Sequence, residues 1–506
     1  MNKIPTKEEL MNYEKEKFEF DKSKCDENFI ITPNALERLE KINNLLDSDI
    51  PIILEGPTGT SKTKTIEELC KIKGLDLIKF NLSSETTSED LIGRLLSDKN
   101  QWSGFSFFEG PFIKAFNEGK VFLLDEVNLA SKTVLQMLES AIDYGEISQE
   151  VPGRNFLYYE KNPNFRIIAT QNPITDNFIH KREELSEKFL QRFQIIEFPS
   201  LEIEELKLIA LGLAKSRNFK DKNIINIITD FHHKWINDKS SLASPQGFTI
   251  RELNITINAI SKKKLMIPAI SAIRCFYSQR YEKKEREKIE NILSNYSNFY
   301  QKEIIPEIEY NIPFCYHSES IKRVFYYSKI SIENGRHLLL VGNQGNGLTQ
   351  IGKWIAEAFS INKDNSFCFI FTPETSVSDL IGKYIPNKKY EIGSNIIEWK
   401  DGPLLEAIKN GYSGVFDNIN LAQSKVIERL NCILEPRNIE KQNFFYVPEN
   451  NKETSVSINN HFIFISTCEN KYLSQLSPAF LNRLNIIRVD DQLENIEKDQ
   501  LINSLM

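Results

Sequence analysis

Asp90-Leu91-Ile92-Gly93 recurs as Asp379-Leu380-Ile381-Gly382, and it does not recur alone. Gly110-Pro111 returns as Gly402-Pro403, and Asn128-Leu129-Ala130 as Asn420-Leu421-Ala422. Leu185-Ser186, followed by Phe189 and Arg192, returns as Leu476-Ser477, followed by Phe480 and Arg483. The offsets span only 289 to 292 residues, so the spacing predicts two tandem copies of one fold. In each copy short apolar segments alternate with helical patterns, which predicts βαβ units: an α/β fold with a parallel sheet flanked by helices.

The first copy's strands are expected near Ile52–Glu55, Leu77–Asn81, Val121–Asp125, Arg166–Thr170 and Gln194–Phe198, with a helical pattern from Pro199 to about residue 300. The second copy's are expected near His337–Val341, Phe367–Thr372, Gly414–Asp417 and His461–Ser466. The implied organisation is a charged tail at 1–28, a first core at 29–200, a helical lid at 201–262 and a helical linker at 263–313. A second core follows at 314–491, then a short stub at 492–506 that is too small for a lid like the first. The chain is therefore expected either to end early or to be a piece of a longer array. The sign-alternating run Glu282–Glu290 reads as an exposed helix face.

Residues 56–63 read Gly-Pro-Thr-Gly-Thr-Ser-Lys-Thr after the apolar run Ile52-Ile53-Leu54. A strand, a Gly-rich loop and a helix start present backbone N–H groups to phosphates. Lys62 is placed for the β/γ-phosphates, and the Thr63 hydroxyl for Mg²⁺. Gly56, Pro57, Thr58, Gly59, Thr60, Ser61, Lys62 and Thr63 are thus the candidate nucleotide-binding loop. Some sixty residues on, the strand Val121–Leu124 ends in Asp125-Glu126, where Asp125 can hold hydrated Mg²⁺ and Glu126 can polarise an attacking water. One departure stands out: Ser61 occupies the second glycine position of the loop, and a Cβ there is expected to strain the loop or crowd the phosphates.

The remaining composition narrows the class. A net charge of −7 argues against a dominant nucleic-acid or anionic-membrane surface. No apolar run approaches the ~18 residues of a membrane span. Seven cysteines without CxxC spacing read as reduced thiols of an intracellular protein. The adjacent pair His232-His233 falls on a probable helix, where its side chains point apart, so no metal site is expected there.

The motif set extends further. Phe108-Glu109-Gly110-Pro111, Glu118-Gly119-Lys120 leading into Val121–Glu126 and Val127-Asn128-Leu129-Ala130, then Ala169–Pro173 and Lys181–Phe193, together resemble the AAA+ ATPases of the dynein-related, midasin-like branch. The second copy resembles the same modules, and the likeness covers roughly residues 29–260 and 314–490. It implies ATP and Mg²⁺ as cofactors, Asn172 as a polar sensor, and Arg192 as an arginine finger aimed at a neighbouring module. It implies further that Arg251, at the start of the last lid helix, is a second sensor. The partners it implies are other AAA+ modules in a ring or array and a protein or ribonucleoprotein substrate, with a role in pre-60S ribosome assembly; the location implied is the nucleus if the chain is truly midasin-like, and otherwise the cytoplasm. Sequence-specific nucleic acid is not expected as a direct partner. A nucleotide-stabilised scaffold and a nucleic-acid-driven motor are the alternatives, and the acidic charge counts against the latter.

The second copy lacks the chemistry of the first. Its loop, Gly342–Thr349, has Leu348 where the lysine belongs, and its strand-end pair is Asp417-Asn418. An uncharged side chain cannot neutralise phosphates, and a carboxamide cannot act as a base. The sensor position aligns with Glu469, or with Asn470 after a one-residue shift. Arg483 persists nevertheless. Hydrolysis is therefore expected in the first module only, and the resemblance implies that Arg483 acts as the finger on that module's nucleotide.

Overall fold

The computed structural model describes residues 24–57, 59–82, 86–97, 105–151, 154–172, 185–237, 248–262, 267–296, 305, 319–360, 365–386, 397–431, 433–434, 443–447, 450 and 455–489. The expected tail therefore lies almost wholly outside the described residues, as does Thr58. The chain divides into two units, Met1–Ser216 and Arg217–Met506.

Among the described residues the first unit holds nine strands: β1 (Ile52–Glu55), β2 (Leu77–Asn81), β3 (Gly93–Ser97), β4 (Phe105–Glu109), β5 (Val121–Asp125), β6 (Glu146–Val151), β7 (Arg154–Glu160), β8 (Arg166–Gln171) and β9 (Gln194–Glu197). Five of them form a parallel sheet in the order β2-β5-β8-β1-β9. Ile52, Ile53, Leu54, Leu123, Leu124 and Ile168 are fully buried, which is why these strands read as unbroken apolar runs: helices cover both faces. The order brings the carboxyl ends of β1, β5 and β8 side by side, the edge where open α/β sheets bind ligands.

The second unit repeats this plan with β10 (His337–Gly342), β11 (Ser366–Ile370), β12 (Gly382–Pro386), β13 (Ile397–Asp401), β14 (Ser413–Asp417), β15 (Asn443–Tyr446), β16 (Ser455–Ile458), β17 (Ile463–Glu469) and β18 (Leu484–Val489). Its sheet runs β11-β14-β17-β10-β18, the same order element for element. Both units add two antiparallel hairpins, β3–β4 and β6–β7 in the first, β12–β13 and β15–β16 in the second. The sequence reading anticipated neither the hairpins nor β18.

The repeated tetrapeptide has a structural cause. Thr87 and Asp90 close a capping box on the short helix Ser88–Ile92, and Ser376 and Asp379 do the same on Val377–Ile381. Leu91, Ile92, Leu380 and Ile381 are buried in the two cores. Gly93 and Gly382 then turn the chain at φ 135° and 142°, a region closed to other residues. Gly110 and Gly402 return against this turn, where a Cβ would come within 2.3 Å of Leu91 O or Leu380 O.

Helices Lys222–Asn237, Ile250–Ser261, Ala269–Phe276 and Lys283–Ser294 follow Pro199, as the pattern predicts, and they fall in the second unit. There Ala269–Phe276 and the turn after it meet β18: Asn485 Nδ2 donates to Cys275 Sγ at 3.4 Å, and the Arg488 N–H donates to Gln279 Oε1 at 3.2 Å. Glu252 and Arg280 form a fully buried ion pair at 2.7 Å with Phe248 stacked over the guanidinium. Nearby His232 is wholly buried, its Nδ1 2.7 Å from Tyr277 Oη, and desolvation lowers its pKa to about 4. Among the described residues no helix is long and apolar enough to cross a membrane.

Candidate active site

The site of the first unit begins where β1 ends. Gly56 lies against the backbone that follows β9, so closely that a Cβ would sit 2.0 Å from Phe198 O. The loop then turns through Gly59 at φ 86° and Ser61 at φ 66°, and the helix Lys62–Lys73 starts with its N–H groups facing the loop. Ser61 therefore holds a left-handed backbone that a serine adopts at a cost of about 1 kcal/mol. This gives the expected strain a definite location: it is in the backbone torsion.

The Lys62 ammonium is buried over this loop. It donates to Gly56 O at 2.6 Å, Pro57 O at 2.9 Å and Asn172 Oδ1 at 2.9 Å. Register explains the last contact: β1 pairs with β8 so that Glu55 faces Gln171, and Asn172 leaves the sheet beside the loop. Asn128, just beyond β5, braces it by donating to Asn172 O at 2.9 Å.

Thr63 Oγ1 donates to Asp125 Oδ1 at 3.1 Å, and Thr170 Oγ1 donates to the same oxygen. Thr170 also accepts the Glu126 N–H at 3.1 Å. One threonine on β8 thus fixes both members of the acidic pair at the end of β5. Glu126 is itself left-handed, at φ 59° and ψ 51°. Asparagine tolerates this region far better than glutamate, so a glutamate kept there points to a use for its carboxylate.

These residues fit a magnesium–nucleotide complex. Mg²⁺ keeps several waters and takes one or two protein oxygens beside the substrate's phosphates, and Thr63 and Asp125 are the residues that would offer them. The converging N–H groups, the buried ammonium and the Asn172 amide are donors of the kind a polyphosphate needs.

The second unit repeats the scaffold almost atom for atom. Thr349 Oγ1 and Thr467 Oγ1 donate to Asp417 Oδ1 at 2.8 and 2.6 Å, and the Asn418 N–H donates to Thr467 Oγ1 at 2.9 Å. Asn418 is left-handed at φ 58°, and Gly345 and Gly347 turn the loop at φ 93° and 71°. Different side chains fill the frame. Leu348 Cδ2 lies 3.1 Å from where a Gly342 Cβ would be, while Asn346 Nδ2 donates to Val489 O at 2.9 Å. Register pairs Gly342 with Glu469, which sets Glu469 at the sensor position, where it binds Lys471 at 2.9 Å. The next residue, Asn470, reaches the loop instead, donating to Asn343 Oδ1 at 2.9 Å, and accepts from Arg488 at 2.7 Å.

The three candidate arginines lie on other elements. Arg192 follows the turn Glu187–Leu190 and grips Asp143 with two N–H groups, at 2.7 Å from Nε and 2.5 Å from Nη2, with Glu139 at 3.6 Å. The hydrogen bonds hold the Asp143 carboxyl below its ordinary pKa and raise that of Arg192. Arg483 is buried and donates to Ala479 O at 2.7 Å. Arg251 sits in the first turn of Ile250–Ser261, its N–H capped by Thr249 Oγ1 at 3.1 Å. Sequence reasoning missed Thr170, Asn128 and the Asp143–Glu139 pair. A signal for Thr170 existed, since it recurs as Thr467.

Two tandem α/β modules, each with a phosphate-type loop between its first strand and the following helix, define the class of protein. A family model for the AAA domain (dynein-related subfamily) matches residues 51–193 and 337–484, more than half of the chain, and the chain belongs to this family. It is similar to midasin of Giardia intestinalis, 24% identical over 472 residues, which cover 80% of this chain and 10% of that protein. It is also similar to midasin of Dictyostelium discoideum, 28% identical over 228 residues, covering 44% of this chain and 4% of that protein. An uncharacterized protein of Staphylococcus epidermidis is 27% identical over 192 residues, 36% of this chain and 66% of its own length. The chain thus spans a small fraction of the length of the midasins it matches. The family is one of ATPase-type modules that bind nucleotide, typically with Mg²⁺, and typically act in oligomeric arrays.

Proposed function

We propose that the chain binds Mg-ATP at the Gly56–Thr63 loop and hydrolyses it there, and that the second module contributes no turnover. The observation that carries this reading is the contrast between two near-identical frames. Lys62, Asn172 and Glu126 occupy one; Leu348, Glu469 and Asn418 occupy the other. Lys62 binds and orients phosphate oxygens, Thr63 and Asp125 hold the hydrated metal, and Glu126 takes the proton of the attacking water. Arg483 is proposed to add positive charge to this reaction, Arg251 to sense the nucleotide, and Arg192 to serve a further module.

Turnover is proposed to drive remodelling of a protein or ribonucleoprotein partner, and the likeness to midasin favours work on pre-60S ribosomal particles. The test is a turnover assay on the purified chain. The reading requires hydrolysis that Glu126→Gln slows by about 10²-fold or more while ATP still binds; a rate undiminished by that substitution would refute it. The left-handed Ser61 supports one second reading, a nucleotide-stabilised scaffold, in which ATP binds and no turnover is measured.

A further inference from the structure

The β6–β7 hairpin of the first unit has two unlike faces. Its inner face packs on the core through Ile147, with Tyr159 bonded to Glu109. Its outer face presents Phe156, 50% exposed, and Tyr158, 72% exposed, with ring centroids 6.2 Å apart. Tyr144, at the hairpin's base, is 78% exposed. Beside the rings, Glu146 and Glu160 are exposed and face each other directly across the strands. Like charges at directly opposed positions destabilise a hairpin. No cation among the described residues pairs with either, and adjacent Lys161 is committed to Asp49 at 2.7 Å.

Exposed aromatic faces beside a carboxylate pair that no cation among the described residues neutralises match one chemistry well. A guanidinium stacks on rings and forks to carboxylates, and its charge relieves the Glu146–Glu160 repulsion. We propose that this face docks an arginine-bearing segment of a partner protein. Nucleic acid offers bases for stacking, but its phosphates meet the glutamates unfavourably. The second unit supplies an internal control. On β15–β16, Phe444 is exposed opposite Ser457, no acidic pair among the described residues faces it, and Phe445 turns inward against Arg429. The inference deepens the proposed remodelling role by naming the partner's chemistry, but it does not depend on turnover.

The experiment measures fluorescence anisotropy of a labelled peptide of alternating arginine and serine with the full chain, at physiological salt and without nucleotide. A glutamate–serine peptide and a short single-stranded RNA serve as comparison probes. The arginine peptide is expected to bind, and Phe156→Ser with Tyr158→Ser, or Glu146→Gln with Glu160→Gln, to weaken it about tenfold. Phe444→Ser should leave the affinity unchanged. Failure of the arginine peptide to bind, equal binding by the hairpin variants, or a preference for either comparison probe overturns the proposal. The glutamine variants keep side-chain shape, so binding lost with an unchanged melting curve is not lost through unfolding. Peptide binding that persists in Glu126→Gln, where turnover fails, separates this inference from the catalytic one.

Discussion

The two phosphate-type loops differ most where their backbones agree. Ser61 and Gly347 share one left-handed torsion, at φ 66° and 71°; Glu126 and Asn418 share another, at φ 59° and 58°. In the second unit each position holds a residue suited to that torsion. In the first, a serine and a glutamate hold it at a cost of about 1 kcal/mol or more each. The strained frame carries the lysine and the glutamate; the relaxed one carries a leucine and an amide. Stability and chemical equipment thus divide between two copies of one scaffold.

The largest effect expected from this contrast concerns the glutamate. Glu126→Gln should slow turnover by about 10²-fold or more with ATP affinity nearly intact, as loss of a general base requires. Equal loss of binding and turnover would instead indicate collapse of the Thr170-centred cluster. The converse change, Asn418→Glu, should create no activity without Leu348→Lys; activity from Asn418→Glu alone, measured in a Glu126→Gln background, would break the comparison.

The lysine comes next. Lys62→Ala should weaken Mg-ATP binding by roughly 1.5–3 kcal/mol, on the order of ten- to a hundredfold, read by titration calorimetry. Thr349→Ala should leave turnover within about a factor of two. Binding indifferent to Lys62 would remove the basis for treating the two loops differently.

Arg483→Ala is expected to lower turnover at least about tenfold with little change in affinity. This is a modest share of the ~10³–10⁵ that such fingers supply in related phosphoryl transfers. Arg192→Ala should leave a monomeric sample's rate unchanged while freeing Asp143 and Glu139 of their cation. The opposite ranking in a sample shown to be monomeric would overturn the assignment.

The smallest effect tests the strain itself. Ser61→Gly should stabilise the first unit by about 1 kcal/mol, and Gly347→Ala should destabilise the second by a similar amount, both seen in denaturant melts. A Ser61→Gly variant no more stable than the parent would mean that the helix start relieves the torsion in another way.

Sequence alone determined the existence of two modules, the positions of all strands of the two parallel sheets except β18, the loop at Gly56–Thr63, the acidic pair, and the loss of Lys and Glu from the second copy. These are properties of short contiguous stretches: apolar runs that must be buried on two faces, glycines that a turn demands, and residue types whose chemistry is local. Tertiary structure decided what lies between stretches distant in the chain. The order β2-β5-β8-β1-β9 sets Thr170 against Asp125 and Glu126, and Asn172 against Lys62, and no local pattern carries a register between strands more than forty residues apart. It likewise brought Arg192 to Asp143 and folded the hairpin that turns Phe156, Tyr158, Glu146 and Glu160 to one face. The left-handed torsions of Ser61 and Glu126 belong to the same class, because a side chain with no intrinsic preference for such a torsion keeps it only where the surrounding fold imposes it.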